Sequence, residues 1–232
     1  MGGPVVPRVT THQICAAGGV AKLILGLIET VRSNSQMELR EKAVAALRAL
    51  SIQHNTESTI PNTTLIAETG LPPLVELLSS GSTLAQTHTA AVLALVSRAK
   101  PETPLAIAKL GGCESLVYIL RAGGNSAQEQ AAAAVASISR IDANQPAIIK
   151  AGAIPPLVHL LKMGSSEAQV HASEAVGNLA RQPEGQELAQ KNTAIPRLLA
   201  LLGSGNAQEF AARALGKLSH ENEQVQKEVR AP

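Results

Sequence analysis

Three arginines recur along this chain at near-constant spacing: Arg98, Arg140 and Arg181, 42 and then 41 residues apart. Each closes a similar stretch, AAVLALVSR (90–98), AAAVASISR (132–140) and SEAVGNLAR (173–181). A further copy, ARALGKLSH (212–220), ends in His220, with Arg213 and Lys217 inside it. A guanidinium carries a planar fork of donors that fits carboxylate or phosphate oxygens in pairs. Set one structural layer apart, such groups can pair with carboxylates, or with a phosphorylated residue, along an extended ligand. A plainer reading stands level with this one: a cation in the last turn of a helix gains ~0.3–1 kcal/mol from the helix dipole.

No catalytic constellation accompanies the series. The sequence has no Walker loop, no His-Glu-x-x-His helix and no Cys-x-x-Cys pair, and Gly203, Ser204 and Gly205 read as a turn, not as a nucleophile elbow. His88 and His171 hold equivalent places two repeats apart. At about 8–10 Å per packed layer, with more than one helix in each repeat, they stand roughly 20 Å from one another and cannot share a metal. The recurring pairs Ala85-Gln86, Ala127-Gln128, Ala168-Gln169 and Ala207-Gln208 read as packing positions with exposed polar ends. Neither a catalytic residue nor a cofactor site is expected.

The elements that position the arginines are clearest in residues 150–181, KAGAIPPLVHLLKMGSSEAQVHASEAVGNLAR. A turn at Gly152 leads into Ile154, Pro155 and Pro156, where proline suits the first turn of a helix because its missing N–H would have no partner there. The run Leu157, Val158, Leu160, Leu161 continues at helical spacing. A break follows at Gly164, predicted to take the left-handed conformation, with Ser165 or Ser166 capping the next helix. That helix sets Ala168, Ala172, Ala175, Val176 and Leu179 on one face, a seam of small residues.

Weaker copies flank this unit. Their anchoring leucines are Leu23, Leu74, Leu116, Leu157 and Leu198, at spacings of 51, 42, 41 and 41. A shorter helical piece precedes each turn, as in LAIAKLGG (105–112), QPAIIKAG (145–152) and QELAQKNT (186–193), so the unit has three helices in ~41 residues. The repeats are expected near 11–52, 63–99, 103–141, 144–182 and 185–220. The first is longer, and HNTESTIPNTT (54–64) reads as a polar surface insertion. The chain enters at a first-helix-like segment, His12 to Ala17, while 221–232 reads as the start of a further repeat or a partial polar cap.

Composition sets the outer limits. One Phe, one Tyr and no Trp in 232 residues leave a core of Leu, Ile, Val and Ala, which suits thin helical layers. A net charge of +2 gives no argument for nucleic acid beyond a local patch. Cys15 and Cys113 lie two repeats apart, too far to bridge, which points to a reducing compartment. No apolar run reaches the ~20 residues of a membrane span, and the best, 20–28, contains Lys22. At the start, Val6 stands where a myristoylation signal prefers Ser or Thr, and Asn62-Thr63-Thr64 reads as an untouched loop although it matches a glycosylation acceptor.

The motif AGAIPPLVHLL followed by EAVGNLA resembles the armadillo repeat, and the resemblance covers nearly the whole chain. Two-helix HEAT repeats are the nearest structural competitor, disfavoured by the three-piece period and the Gly-x-Ile-Pro turn. The resemblance implies an all-α, right-handed solenoid of about five three-helix repeats, whose third helices line a concave groove for extended peptides or partner helices. In importin-α-like members a ladder of asparagines clamps the peptide backbone, with tryptophans one turn earlier. Here only Asn178 matches, its equivalents being Ala49, Leu95, Ser137 and Lys217, and the turn-earlier places hold Ala45, Ala91, Ala133, Glu174 and Arg213. Importin-type binding is therefore not expected, and the style is that of vacuolar-inheritance, β-catenin and plant armadillo scaffolds. The groove residues expected to meet a partner are Arg98, Ser137, Arg140, Asn178, Arg181, Arg213, Lys217 and His220. These readings amount to a non-enzymatic scaffold, cytoplasmic or nuclear, that binds an acidic or phosphorylated protein segment. The alternative is a structural piece of a larger assembly, contacting partners or its own copies through the solenoid ends.

Overall fold

Proline, glycine and serine divide the chain into helices that stack in layers. The computed structural model describes residues 18–33, 36–52, 61–203, 205–220 and 226. The first layer holds α1 (Gly18–Arg32) and α2 (Met37–Ile52), and the second α3 (Asn62–Ser80) and α4 (Thr83–Val96). The third holds α5 (Thr103–Lys109), α6 (Gly112–Ala122) and α7 (Asn125–Ile138). The fourth holds α8 (Gln145–Lys150), α9 (Ile154–Met163) and α10 (Ser166–Leu179), and the fifth α11 (Pro183–Lys191), α12 (Ala194–Leu201) and α13 (Gln208–Ser219). Short 3-10 turns, Asp142–Asn144 and Gly205–Ala207, lead into α8 and α13. The architecture is an all-α solenoid, with no strand among the described residues.

The last helices of the layers, α2, α4, α7, α10 and α13, pack each on the next. Their contact faces are built of small side chains: Ala131, Ala132, Ala134 and Ala136 of α7 are wholly buried, as are Ala172 and Ala175 of α10. A Cβ added to Gly177 would lie 2.9 Å from the Cα of Ala214, so α10 and α13 meet almost backbone to backbone. The leucines at 74, 116, 157 and 198 are buried anchors, as the alignment expects. Leu23 is a correction: it is 52% exposed while Ile24 is fully buried, so α1 is set one residue later in the register.

The turn between first and second helices requires a left-handed residue in three layers, Gly111 (φ 83°), Gly152 (φ 81°) and Thr193 (φ 61°). Around Gly111, α5 and α6 meet at 80°. Arg121 Nη2 donates to the carbonyls of Ala151 and Gly152, at 3.1 and 3.0 Å, and so ties the third layer to the turn of the fourth. The second layer departs from the three-piece expectation: Thr69, the equivalent residue, stays helical, as does Gly70 after it, and α3 runs unbroken through Pro72 and Pro73. Pro73 has no N–H to offer the Thr69 carbonyl. Arg32 Nη2 approaches that carbonyl instead, at 3.4 Å.

The second and third helices join through Gly81, Gly123 and Gly164. Gly164 is extended (φ −74°, ψ 162°), not left-handed as its sequence position implies. Its value is smallness, since a Cβ would sit 2.6 Å from the Leu160 carbonyl oxygen and 2.9 Å from Ala168 Cβ. Ser82 and Ser165 cap the following helices, accepting from the backbone N–H groups of Ala85 and Ala168 at 3.2 and 3.1 Å. Each serine hydroxyl in turn donates to a carboxylate of the preceding layer, Ser82 to Glu41 and Ser165 to Glu129. Between them the third layer has Gly124 at the cap, and the place of the glutamate is taken by Thr87, whose hydroxyl turns back to the Thr83 carbonyl.

Each third helix also ends on carbonyls that need donors from outside the helix. Asn144 Nδ2 donates to the Ile138 carbonyl at 3.3 Å, and Gln145 Nε2 to that of Ser139 at 2.9 Å. Asn62 Nδ2 makes the equivalent bond to Leu50 O at 2.9 Å. Asn62 is thus a buried residue in the first turn of α3, which corrects its assignment to a polar loop. Any extra length of the first repeat falls in 53–60, outside the described residues. The expected first-helix segment at 12–17 and, apart from Gln226, the polar cap lie outside them as well.

Two substitutions test these devices by urea unfolding. Asn144→Ala removes the side-chain bond to the Ile138 carbonyl, which keeps the Ile141 N–H, and is expected to cost about 0.5–1.5 kcal/mol. Thr193→Gly relieves a β-branched residue of a left-handed conformation that costs about 1–2 kcal/mol and is expected to raise stability by up to about 1 kcal/mol, the flexible unfolded glycine offsetting the rest.

Candidate functional site

The stacking brings side chains from α10, α13 and the turn after α7 around one open cleft of about 410 Å³. Four of its walls are cationic: Arg140, Arg181, Arg213 and Lys217. Glu174 is the one carboxylate there, and Ser173, Asn178 and Phe210 complete the polar and aromatic lining. Arg140 and Arg181 stand one residue beyond the capped ends of α7 and α10, in turns that aim them past the helix termini. Arg213 comes from one turn before Lys217 on α13.

The cations act on one another. Burial lowers the Lys217 pKa first, and the neighbouring Arg181 and Arg213 guanidinium groups lower it further, with a smaller contribution from Arg140. Glu174 opposes the trend. The Lys217 ammonium therefore costs stability while it is charged, and that cost is relieved as pH rises toward its unfolded value near 10.5. Two of the arginines have carboxylate partners toward solvent, Arg181 with Asp142 at 2.5 Å and Arg213 with Glu209. Arg213 also lies 5.4 Å from the Phe210 ring centroid. Arg140 has no ion-pair partner among the described residues.

Five of the eight groove residues expected from sequence converge here: Arg140, Asn178, Arg181, Arg213 and Lys217. Arg98 is exposed but does not line the cleft; its field falls on His171. Ser137 is buried with no partner for its hydroxyl. His220 is exposed beyond the cleft, and its backbone carbonyl accepts from Gln186 Nε2 at 3.4 Å. Sequence reasoning missed Ser173 and Phe210, and it read Glu174 only as a missing tryptophan. Phe210 carried a usable signal as the one phenylalanine in the chain, at the place that holds His171 one repeat earlier.

Asn178 differs most from what the resemblance implies. Its Nδ2 donates to the Ala136 carbonyl at 3.2 Å and to Ser139 Oγ at 3.1 Å, and its Oδ1 accepts from Lys217 Nζ at 2.8 Å. The amide joins three layers, and both of its N–H donors are spent on the solenoid itself.

A family model described as the armadillo/beta-catenin-like repeat matches residues 142–181, the layer that supplies Asp142, Asn178 and Arg181 to this region. The whole solenoid also aligns with solved armadillo structures. A designed armadillo repeat protein shares 26% identity at a TM-score of 0.73, the match covering 92% of this chain and 96% of that one. One repeat of the chain thus matches the armadillo model, and its fold is that of armadillo solenoids. A second designed armadillo protein, solved in complex with the peptide (KR)4, aligns at 26% identity and a TM-score of 0.70 over 89% of each chain. A third, computationally designed for modular peptide recognition, gives 26% identity and a TM-score of 0.72 over 89% of this chain and 90% of that one. No curated protein matches the sequence significantly.

Within this solenoid, the asparagine position should therefore behave as part of the framework. Asn178→Ala is expected to lower unfolding free energy by about 1–3 kcal/mol, because it removes the bonds to the Ala136 carbonyl, the Ser139 hydroxyl and the Lys217 ammonium together. Ser137→Ala, at the equivalent place one repeat earlier, removes a hydroxyl that has no partner and should be neutral or mildly stabilising in the same urea titration.

Proposed function

We propose that this chain is a non-enzymatic scaffold that holds an extended segment of a partner protein along its third helices, with acidic residues of the segment against Arg140, Arg181, Arg213 and Lys217. The observation that carries the reading is the convergence of these four cations on one open cleft with a single carboxylate among them. The Lys217 pKa is lowered first by burial and then by the neighbouring Arg181 and Arg213, and an anionic ligand offsets that second, repulsive part.

Designed armadillo relatives lend support for a peptide as the ligand, since one is described as made for modular peptide recognition and another is solved with (KR)4. That peptide is basic, and the cleft here calls for the opposite sign. Cys113 is a buried free thiol whose pKa is pushed up to about 11, chiefly by burial, which suits a compartment that keeps thiols reduced. We place the chain in the cytoplasm or nucleus on that ground.

Fluorescence anisotropy with a labelled oligoglutamate peptide tests the reading. The Arg140→Ala, Arg181→Ala double variant should lose at least about tenfold in affinity, as charge-assisted contacts imply, and wild-type affinity should fall as salt screens the cleft. Arg98→Ala should leave affinity within about twofold, because Arg98 stands outside the cleft. Unchanged affinity in the double variant would sink the proposal.

A further inference from the structure

We infer that the cleft between α10, α13 and the end of α7 is a subsite for one phosphorylated side chain of the bound segment, held by Arg140, Arg181, Arg213 and Lys217 with Ser173 as a neutral donor. This inference rests on the peptide-scaffold reading and names the residue type that the cleft takes.

Two independent observations lead to it. The first is a charge balance: four cations face Glu174 alone, an excess of three positive charges on the lining. A glutamate or aspartate side chain answers one of them. A phosphomonoester brings about −1.5 to −2 charge and three strong acceptor oxygens, and so engages several of the guanidinium forks at once. Asp142 and Glu209 do not remove the need, since both lie well exposed on the solvent side of their arginines and each guanidinium keeps further donors.

The second observation is Ser173. It lines the cleft, is wholly buried, and its hydroxyl has no hydrogen-bond partner among the described residues. A buried polar group without a partner has lost its water and gained nothing in return, and that cost is removed when an acceptor enters the cleft beside it. Such a group points to an absent ligand with acceptor oxygens, which the cation count alone does not. The cleft volume, about 410 Å³, falls in the range of about 300–1,000 Å³ usual for sites that enclose a small ligand. Phe210, half-buried at its edge, offers an apolar surface to the residue next to the phosphate. A peptide is favoured over a membrane headgroup because the cleft is recessed between the third helices of successive layers and is not a flat face.

The test compares three short labelled peptides of one acidic sequence, with phosphoserine, glutamate or serine at the centre, by anisotropy in about 0.15 M salt. The phosphoserine peptide should bind at least about tenfold tighter than the glutamate peptide. Arg140→Gln with Lys217→Gln should reduce it to the level of the glutamate peptide. Ser173→Ala should weaken the phosphoserine peptide about three- to tenfold and leave the other two unchanged. The same variant should keep or raise the urea midpoint, because the hydroxyl bonds to nothing in the free protein; a purely structural serine would show the reverse. Equal affinity for phosphoserine and glutamate overturns this inference and leaves the acidic-segment reading standing. Binding of none of the peptides overturns both. Binding to phosphatidylcholine vesicles carrying about 5% phosphatidylinositol 4,5-bisphosphate, without preference for the phosphopeptide, assigns the cleft to a lipid headgroup and also overturns it.

Discussion

The structure depends on how closely its third helices approach one another. Alanine, serine and glycine fill the space between α4, α7, α10 and α13, and at Gly177 even a methyl group would collide with the backbone of Ala214. Dispersion contacts and exclusion of water hold such seams together, and they tolerate added volume poorly. Close stacking is also what turns a spacing of 41 residues along the sequence into adjacency in space. Arg140, Arg181 and Lys217 meet because three layers are thin enough for side chains to reach across them.

That compression has an electrical cost, and the chain meets it unevenly. In the first three layers the two positions equivalent to Glu174 and Asn178 hold Ala45, Ala91 and Ala133, and then Ala49, Leu95 and Ser137. In the last two they hold Glu174 and Arg213, and Asn178 and Lys217. The same scaffold geometry thus presents a small, mostly apolar half and a charged half. Asn178 bridges the two by linking the end of α7 to Lys217, so the charged region is anchored on the layer where the alanines stop.

Much of this was legible in the sequence because packing imposes a period on it. Buried leucines at 74, 116, 157 and 198 had to recur where layers touch, and the arginines recurred beside them. What escaped was whatever depended on local competition. Leu23 and Ile24 are adjacent apolar residues, and alignment cannot say which of them turns inward. Gly164 looked like a conformational device, although its role is to leave room for a carbonyl and a methyl group. Gly70 resembled a turn, but the chain stays helical through two prolines, with Arg32 near the freed carbonyl. Asn62 looked polar and therefore superficial, yet buried carbonyls at helix ends require such amides. Within the cleft the cations were readable from their spacing. Ser173 and Phe210 were not, because their relation to the arginines exists only once α10 and α13 are in register.

The joints between layers are not alike in substance. Glu41 with Ser82 joins the first layer to the second, and Glu129 with Ser165 joins the third to the fourth, each a carboxylate on a capping hydroxyl. Between the second and third layers the clasp is missing: Gly124 has no side chain to offer, and Thr87 bonds within its own helix. There α4 and α7 are held mainly by apolar packing. A hydrogen-bonded clasp holds one direction and one distance, whereas a joint of alanine and leucine is non-directional and weakens on cooling, as hydrophobic burial does. The solenoid is accordingly built with joints of two materials, and temperature acts on them unequally.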